Sequence, residues 1–270
     1  MVQTHGSITL GRPGRKVNLE GLQLIESRYE PSRVLNPHAH RSGNITLVFE
    51  GAFEESVGGR VFQPRSASFV VKPGGTVHSN RYGPQPVRAF VIEIAPRREA
   101  ELGMGAADSA RWFDGGPSVG LLLEIYAAFV RGDDDLERIT LEGLGEVLRM
   151  TVDESTLRGV GRTGATHLAR ADAILRANIA HAPNSRELAR RVGVHPVYLA
   201  RLFRAANGCG IAAYRRKLQV RAAARRLAED LDPQAGLAVD AGFADQSHMC
   251  RAFKAELGLT PGAYRSLIRA

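Results

Sequence analysis

Cysteine is nearly absent from this chain, which holds only Cys209 and Cys250 among its 270 residues. Two cysteines cannot build the disulfide framework of a small secreted domain, and they suit a reducing compartment. No apolar run approaches the roughly eighteen residues of a membrane span, and the first twenty residues lack the apolar core of a signal peptide. These absences exclude a disulfide scaffold and a membrane-spanning protein. We expect a cytoplasmic protein with no membrane partner.

Positive charge is unevenly distributed along the chain. Residues 166–270 hold 17 Lys and Arg against 8 Asp and Glu, a net charge of +9, whereas residues 1–165 hold 19 against 20, a net charge of −1. A basic excess confined to one segment favours nucleic acid as the partner of that segment. The length and the apolar fraction of 44% allow two domains with their own cores.

One stretch of the basic segment, residues 242–264, has the features of a DNA-reading helix. Gly242 ends a preceding helix, Asp245 is a suitable N-cap, and Gly258 is a suitable C-terminal stop. Apolar residues recur every fourth position on the side predicted to be buried: Met249, Phe253 and Leu257. The outward stripe is polar and cationic, as a helix in a major groove requires, and comprises Ser247, Cys250, Arg251 and Lys254, with Gln246 opening the helix. The alternative is an ordinary amphipathic surface helix.

The chain nearly repeats this stretch fifty residues earlier, since residues 198–208 align with residues 248–258. The outward stripe recurs as Val197, Ala200, Arg201 and Arg204. Each unit reads as a short helix, a glycine-containing turn and a longer helix, so the repeat predicts two tandem helix-turn-helix units. Residues 214–227 form a strongly helical, arginine-rich connection that would hold the units at a fixed separation. Cys250 is interpreted as a small residue at the DNA, with a redox switch as the alternative.

Residues 166–270 resemble the DNA-binding domain of AraC/XylS-family transcriptional regulators. The resemblance is carried by residues 241–248 (AGFADQSH), 251–254 (RAFK) and 258–265 (GLTPGAYR). The chain departs from the family pattern at Gln234, Gly236 and Asp240, in the first helix of the second unit. Glycine inside a helix costs about 0.5–1 kcal/mol relative to alanine, so we predict that this helix is the less stable of the two first helices.

The N-terminal part, to about residue 95, reads as short strands and turns. Strands are predicted over residues 44–50, 53–62, 68–72 and 87–94, with a hairpin turn at Gly58 and Gly59. Strands at this spacing predict a small antiparallel β-barrel or jelly roll. The fold class is therefore two-domain α+β: a β-barrel, a helical connector and an all-α domain. The predicted boundaries are 1–100, 101–165 and 166–270.

Two segments of the barrel resemble the cupin family, residues 37–40 and residues 73–78. Metal-binding cupins use three histidines and a glutamate as metal ligands. The resemblance places the three histidines at His38, His40 and His78, and the glutamate position falls on Asn44 or Ile45. Three interpretations stay open: a metal site, a pocket for a small-molecule effector, or barrel structure without a ligand. We favour the effector pocket, with Phe49, Phe69 and Phe90 as apolar walls. No cofactor is expected, with a divalent metal as the alternative.

Two apolar helices are predicted between the domains, over residues 119–130 and 136–150. They either cover one side of the barrel or pair with a second subunit. Residues 154–166, with three glycines among polar residues, are the predicted linker.

Together these features predict a non-enzymatic transcriptional regulator whose N-terminal domain senses a small molecule. Its expected partners are double-stranded promoter DNA, the effector, RNA polymerase for an activator, and a second copy in a homodimer. The rival interpretations are a metal-dependent cupin enzyme with a basic appendage and an architectural DNA-coating protein.

Overall fold

A computed structural model describes the backbone of residues 3–5, 10–105, 110–155, 162–229 and 234–269. Its N-terminal half is built from eleven strands in the described residues, in chain order Gln3–His5 (β1), Arg12–Leu19 (β2), Leu22–Tyr29 (β3), Val34–His40 (β4), Gly43–Glu50 (β5), Phe53–Val57 (β6), Arg60–Phe62 (β7), Ser68–Lys72 (β8), His78–Tyr82 (β9), Val87–Ile94 (β10) and Arg111–Asp114 (β11).

Ten helices follow or interrupt these strands in the described residues. They are Pro96–Leu102 (α1), Pro117–Arg131 (α2), Leu136–Ser155 (α3), Arg162–Ala177 (α4), Ser185–Val192 (α5), Pro196–Asn207 (α6), Ile211–Glu229 (α7), Gln234–Asp240 (α8), Gln246–Leu257 (α9) and Pro261–Arg269 (α10). None of these helices combines the length and apolar character needed to cross a bilayer.

The strands form two sheets. One sheet has the order β1-β4-β9-β6-β7 and the other β11-β8-β5-β10-β3-β2; neighbours pair antiparallel except β1 and β4. The predicted strands are confirmed as β5, β6–β7, β8 and β10, and the turn at Gly58 and Gly59 has positive φ at both residues. The prediction was a small antiparallel barrel or a jelly roll. The antiparallel sheets are confirmed, but a closed barrel is not formed, because the strands divide between two sheets.

Helices α2 and α3 cover the second sheet. Buried side chains of α2 pack on inward residues of β5 and β10, as where Tyr126 contacts the rings of Phe49 and Phe90 at centroid distances of 4.4 and 5.1 Å. Val147 and Leu148 of α3 are buried in the same core. Of the two arrangements predicted for these helices, packing on their own domain is therefore the observed one.

That core continues into the C-terminal half of the chain. Buried residues of α7, α8, α9 and α10 belong to the same apolar cluster as the second sheet, whereas α4, α5 and α6 build a separate cluster around Leu188 and Phe203. Helix α4 begins at Arg162, so the end of the linker predicted to reach residue 166 is helical, and residues 156–161 of that linker lie outside the described residues.

Candidate nucleic-acid interface and sensor cavities

Helix α9 begins and ends where the sequence predicts. The carboxylate of Asp245 accepts a hydrogen bond from the backbone N–H of His248 at 2.6 Å, which satisfies one of the unpaired donors at the helix start. Gly258 ends the helix in the left-handed region, with φ of 74°. The turn before the helix requires Gly242: its φ is 84°, and a Cβ there would lie 2.8 Å from the backbone of Ala180.

The two sides of α9 also divide as predicted. Met249, Phe253 and Leu257 are buried, and each is almost fully removed from solvent. On the outward side Gln246, Ser247, Arg251 and Lys254 are exposed and Cys250 is half-buried. The predicted candidates therefore form one accessible, cationic face, and the residues that pack the helix in place lie opposite.

The first helix-turn-helix unit, α5 and α6, has the same construction. Asn184 caps α5 by accepting hydrogen bonds from two backbone N–H groups, and Gly193 turns the chain with φ of 84°. The side chain of His195 caps α6. On the outward side of α6, Val197, Arg201 and Arg204 are exposed and Ala200 is half-buried. An exposed apolar residue beside an arginine suits a reading face, because thymine methyl groups and guanine edges both lie in the major groove.

The second helix-turn-helix unit, α8 and α9, packs directly on the N-terminal domain. At Gly120 of α2 a Cβ would lie 3.1 Å from the carbonyl oxygen of Leu257 in α9, so the two helix backbones approach closely. Asp240 at the end of α8 accepts a hydrogen bond from Arg226 of α7 at 2.5 Å. The orientation of α9 is therefore fixed relative to the second sheet.

Helices α4 and α7, which pack against the first unit, contact the N-terminal domain through an ion-pair network. Asp114 of β11 lies 2.9 Å from the buried guanidinium of Arg221 in α7 and 3.4 Å from that of Arg176 in α4. Arg176 also pairs with Asp172 at 2.6 Å, and the hydroxyl of Tyr214 donates to Asp172 at 2.6 Å. Arg221 belongs to the arginine-rich helix predicted to connect the two units, and its contact with Asp114 places it at the boundary with the N-terminal domain.

The three predicted histidines converge between the two sheets. His38 and His40 of β4 and His78 of β9 are buried, and one ring nitrogen from each lies within 4.8 Å of the others. Nδ1 of His38 lies 2.7 Å from the carbonyl oxygen of Asn36, and Nδ1 of His78 lies 3.0 Å from that of Thr76. A carbonyl oxygen only accepts, so the Nδ1 atoms of both rings donate these hydrogen bonds.

Burial lowers the pKa of His78, and the nearby ammonium of Lys72 lowers it further, so this imidazole is neutral at physiological pH. The cavity around the three rings, here the histidine cavity, has a volume of about 30 Å³. This volume suits a single water or ion, since organic ligands occupy pockets of about 300–1,000 Å³. The predicted convergence is observed, and the cavity that the described residues enclose is smaller than an organic molecule.

The predicted apolar walls of that cavity are wrong. Phe49, Phe69 and Phe90 lie on the opposite face of the second sheet, in the core beneath α2. The aromatic residues that line the histidine cavity are Tyr29, Phe53 and Tyr82. Asn44, at the predicted glutamate position, does line it, whereas Ile45 faces the core.

A buried carboxylate that the sequence analysis missed also lines the histidine cavity. Glu55 of β6 is fully buried; its Oε1 accepts from Lys72 Nζ at 2.5 Å and from Asn80 Nδ2 at 3.2 Å, and its Oε2 accepts from Trp112 Nε1 at 2.7 Å. The sequence contains a pattern that could have identified it. Glu55 shares alternate positions of the strand with Phe53 and Val57, so the three side chains lie on the same face of the sheet. All three donors are directed at Glu55, so its charge is already compensated.

A family model matches part of the C-terminal half of the chain. The helix-turn-helix domain family matches residues 188–266. A putative AraC-like transcription regulator of Streptomyces antibioticus is 36% identical over 86 residues, which are 32% of this chain and 28% of that protein. The matched region thus spans just over a quarter of that relative's length.

Two solved structures are similar at low TM-score. An AraC-type transcriptional regulator from Chromobacterium violaceum has a TM-score of 0.38 at 23% identity, covering 39% of this chain and 95% of that one. ToxT from Vibrio cholerae O395 has a TM-score of 0.40 at 10% identity, covering 93% of this chain and 99% of that one.

The capped helix pairs and the family match define residues 188–266 as a helix-turn-helix DNA-binding domain. Over 86 residues the chain is similar to an AraC-like regulator, so the resemblance predicted from the sequence is confirmed.

Proposed function

We propose that this protein is a transcriptional regulator that reads promoter DNA with α6 and α9. The observation that carries the proposal is the pair of outward faces at equivalent positions of the two helices, each with an exposed arginine, Arg201 and Arg251. Arginine is the commonest reader of guanine in the major groove. Lys254 and Arg204, one turn further along, are placed to contact phosphate.

The N-terminal domain, in this proposal, supplies a small-molecule signal to the reading helices. It is joined to them by the Gly120 contact and by the Asp114 ion pairs, so a change in its state has a physical route to both units. We do not propose a catalytic role. For a role as an activator, we propose RNA polymerase as a further partner of this protein. A homodimer would need a surface other than the apolar faces of α2 and α3, because these are buried within the chain.

The histidine cavity is proposed to hold a metal weakly at most. Three imidazoles with ring nitrogens within 4.8 Å of one another fit a small cation, and tetrahedral zinc needs ligand atoms about 3.4 Å apart. The charge does not favour it: Asn44 stands at the position of the cupin carboxylate ligand, and Glu55, the carboxylate that does line the cavity, is already paired with Lys72. The histidines therefore have a structural or hydrogen-bonding role in this proposal.

The test is a comparison of three variants against promoter DNA. Arg201→Ala and Arg251→Ala should each weaken binding at particular base positions by about 1–3 kcal/mol, as the loss of a base contact does. Lys254→Ala should weaken specific and random duplexes alike, because a phosphate contact carries no sequence information. Binding is measured by fluorescence anisotropy at fixed salt on duplexes with single base-pair changes.

Arg97→Ala is the matched control, since this arginine lies on α1, far from either reading face in the chain, and its ion pair among the described residues is with Glu101. It should leave both affinities unchanged. Equal losses on specific and random DNA for both reading arginines would contradict the assignment and favour an architectural DNA-coating protein.

A further inference from the structure

The two helix-turn-helix units have separate apolar cores in the described part of the chain. The cluster around Leu188 and Phe203 stabilises the first unit, whereas α8 and α9 pack in the cluster that continues into the N-terminal domain. Helix α7 contributes to both, since Leu218 is buried in the first cluster and Val220 in the second. Because the units share no core in these residues, contacts with α7 and at their junction set the relative placement of α6 and α9.

A buried glutamine lies between these two positions of α7. Gln219 is only 6% exposed, although glutamine is mostly found at the surface and its amide is costly to bury without a hydrogen bond. Its Nε2 donates a hydrogen bond of 2.6 Å to the carbonyl oxygen of Gly242, in the turn between α8 and α9. A polar side chain at the boundary of two apolar clusters therefore contacts the turn that leads into the second reading helix.

The same turn meets the first half of the helical domain directly. A Cβ at Gly242 would lie 2.8 Å from the Cα of Ala180 and 2.8 Å from the carbonyl oxygen of Ile179. Both residues belong to the connection between α4 and α5, which leads into the first unit. The same Cβ would lie 2.8 Å from Nε2 of Gln219. Two backbone segments and one amide side chain therefore meet at a single point, here the unit junction (Ile179, Ala180, Gln219 and Gly242).

The hydrogen bond at the unit junction constrains direction as well as distance. Apolar packing is non-directional, whereas an N–H···O bond weakens steeply as its angle departs from linear. Selecting one register among alternatives is the best-attested role of a buried polar group in packed helices. Arg226 of α7 also pairs with Asp240 of α8, but the side chains of this pair are 30% and 52% exposed, so solvent screens it. The buried amide of Gln219 is therefore the more restrictive contact.

We propose that Gln219 is a positioning residue: through the carbonyl group of Gly242 it fixes α9 relative to α6, and it thereby sets the half-site spacing that the protein accepts on DNA. The link to half-site spacing rests on the proposed function, whereas the link to the placement of the two units does not. One base pair moves a half-site by about 3.4 Å and rotates it by about 35° around the duplex axis. A pair of units held in one arrangement therefore discriminates between neighbouring spacings.

The first test measures the placement of the two units without DNA. The two cysteines of the chain are partly exposed; Cys209 follows α6 and Cys250 lies in α9. Nitroxide labels on both report the distance between the units of the full-length protein by double electron–electron resonance. Gln219→Met keeps the length of the side chain and removes its donor, so a broadened or shifted distance distribution is expected. A distribution identical to that of the wild type would refute the proposal.

Val220→Ala is the matched control at the adjacent buried position of α7. It removes apolar atoms from the core and leaves the hydrogen bond of Gln219 in place. It should lower the melting temperature, as the loss of buried methyl groups does, while the distance distribution stays that of the wild type. Equal broadening in Val220→Ala and Gln219→Met would attribute the effect to lost stability and overturn the positioning role. Gln219→Asn, which keeps the amide but shortens its reach by one methylene group, is the second variant and should broaden the distribution as Gln219→Met does.

The second test measures spacing selectivity on DNA. The full-length wild-type protein selects a duplex from a random-sequence pool, and the spacer between the half-sites of that duplex is then changed one base pair at a time. The affinity ratio between the optimal spacer and one that is a base pair longer should fall about two- to tenfold in Gln219→Met, because one hydrogen bond contributes about 0.5–1.5 kcal/mol and about 1.4 kcal/mol is tenfold. Val220→Ala should keep the wild-type ratio.

The two tests separate this inference from the proposed function. A wild-type protein that selects no sequence overturns the proposed function, and the label distances still decide the role of Gln219. Selective DNA binding with the same spacing dependence in Gln219→Met supports the regulator and overturns the link between Gln219 and spacing. A loss of spacing selectivity in Gln219→Met but not in Val220→Ala, together with a broadened distance distribution, supports both.

Discussion

The buried carboxylate of Glu55 gives the sharpest test of how the N-terminal domain is held together. We consider Glu55→Gln, which keeps the shape of the side chain and removes its charge. In the native chain the two carboxylate oxygens accept from Lys72, Asn80 and Trp112 at 2.5, 3.2 and 2.7 Å. An amide has one oxygen, and its nitrogen donates, so at least one of these donors would face another donor.

The size of the expected loss of stability follows from the burial of Glu55 and Lys72. The side chain of Glu55 is 0% exposed and that of Lys72 is 9% exposed, so the variant leaves an ammonium group unpaired out of water. Breaking a buried ion pair by removing one partner costs about 3–5 kcal/mol. For a chain of this size a melting temperature falls by about 2–4 °C per kcal/mol, so we expect a decrease of about 6–20 °C.

The assay is urea and thermal unfolding followed by circular dichroism and by the fluorescence of Trp112, which contacts Glu55 directly. Glu54→Gln is the matched control, since its side chain is 47% exposed and lies 4.0 Å from Arg81; we expect a loss under about 1 kcal/mol. Adding Lys72→Met to Glu55→Gln should recover part of the stability, because neither member of the buried pair is then charged. A loss in Glu55→Gln no larger than that in Glu54→Gln would refute this account.

Two further predictions concern the reading helices and the histidine cavity. Two reading helices on one domain enter successive major grooves about 34 Å apart, so the centres of the half-sites should lie about 10–10.5 base pairs apart. Inserting five base pairs between the half-sites should abolish binding in a gel-shift assay. Tolerance of the insertion would show that one unit alone reads DNA. Chelator-treated wild-type protein should bind zinc weakly or not at all by calorimetry, whereas Asn44→Glu should raise the affinity at least about tenfold by supplying a carboxylate. If Asn44→Glu leaves zinc affinity unchanged, the new carboxylate pairs with Lys72, the cross-strand neighbour of residue 44.

Features set by neighbouring residues were predictable from the sequence. The caps at Asp245 and Gly258 follow from local hydrogen bonding and from the freedom of glycine to adopt positive φ, and both are observed. The buried and outward sides of α9 follow from the helical period. The convergence of His38, His40 and His78 was carried by a family resemblance, and the register of β4 with β9 provides it.

Features set by distant parts of the chain were not predictable. Strand β5 is buried on both faces, so its sequence shows no alternation from which to tell that Phe49 faces α2 and Thr46 the histidine cavity. The division of the strands between two sheets depends on pairings that short-range patterns do not contain. Asp114 and Arg221 lie 107 positions apart in the chain, and only the packing of the two halves brings them together.

Because α2 and α9 approach closely at Gly120, the boundary between the two domains along the chain does not coincide with a boundary in their packing. A cut at residues 156–161 would divide the polypeptide, but it would not divide the apolar cluster that α2 shares with α7, α9 and α10. A fragment that begins at Arg162 would expose the side of α9 around Leu257 to water and would be prone to aggregation. The apolar surface around Leu257 is complementary to α2 on the other fragment. Two coexpressed halves of this protein should therefore associate without a peptide bond between them.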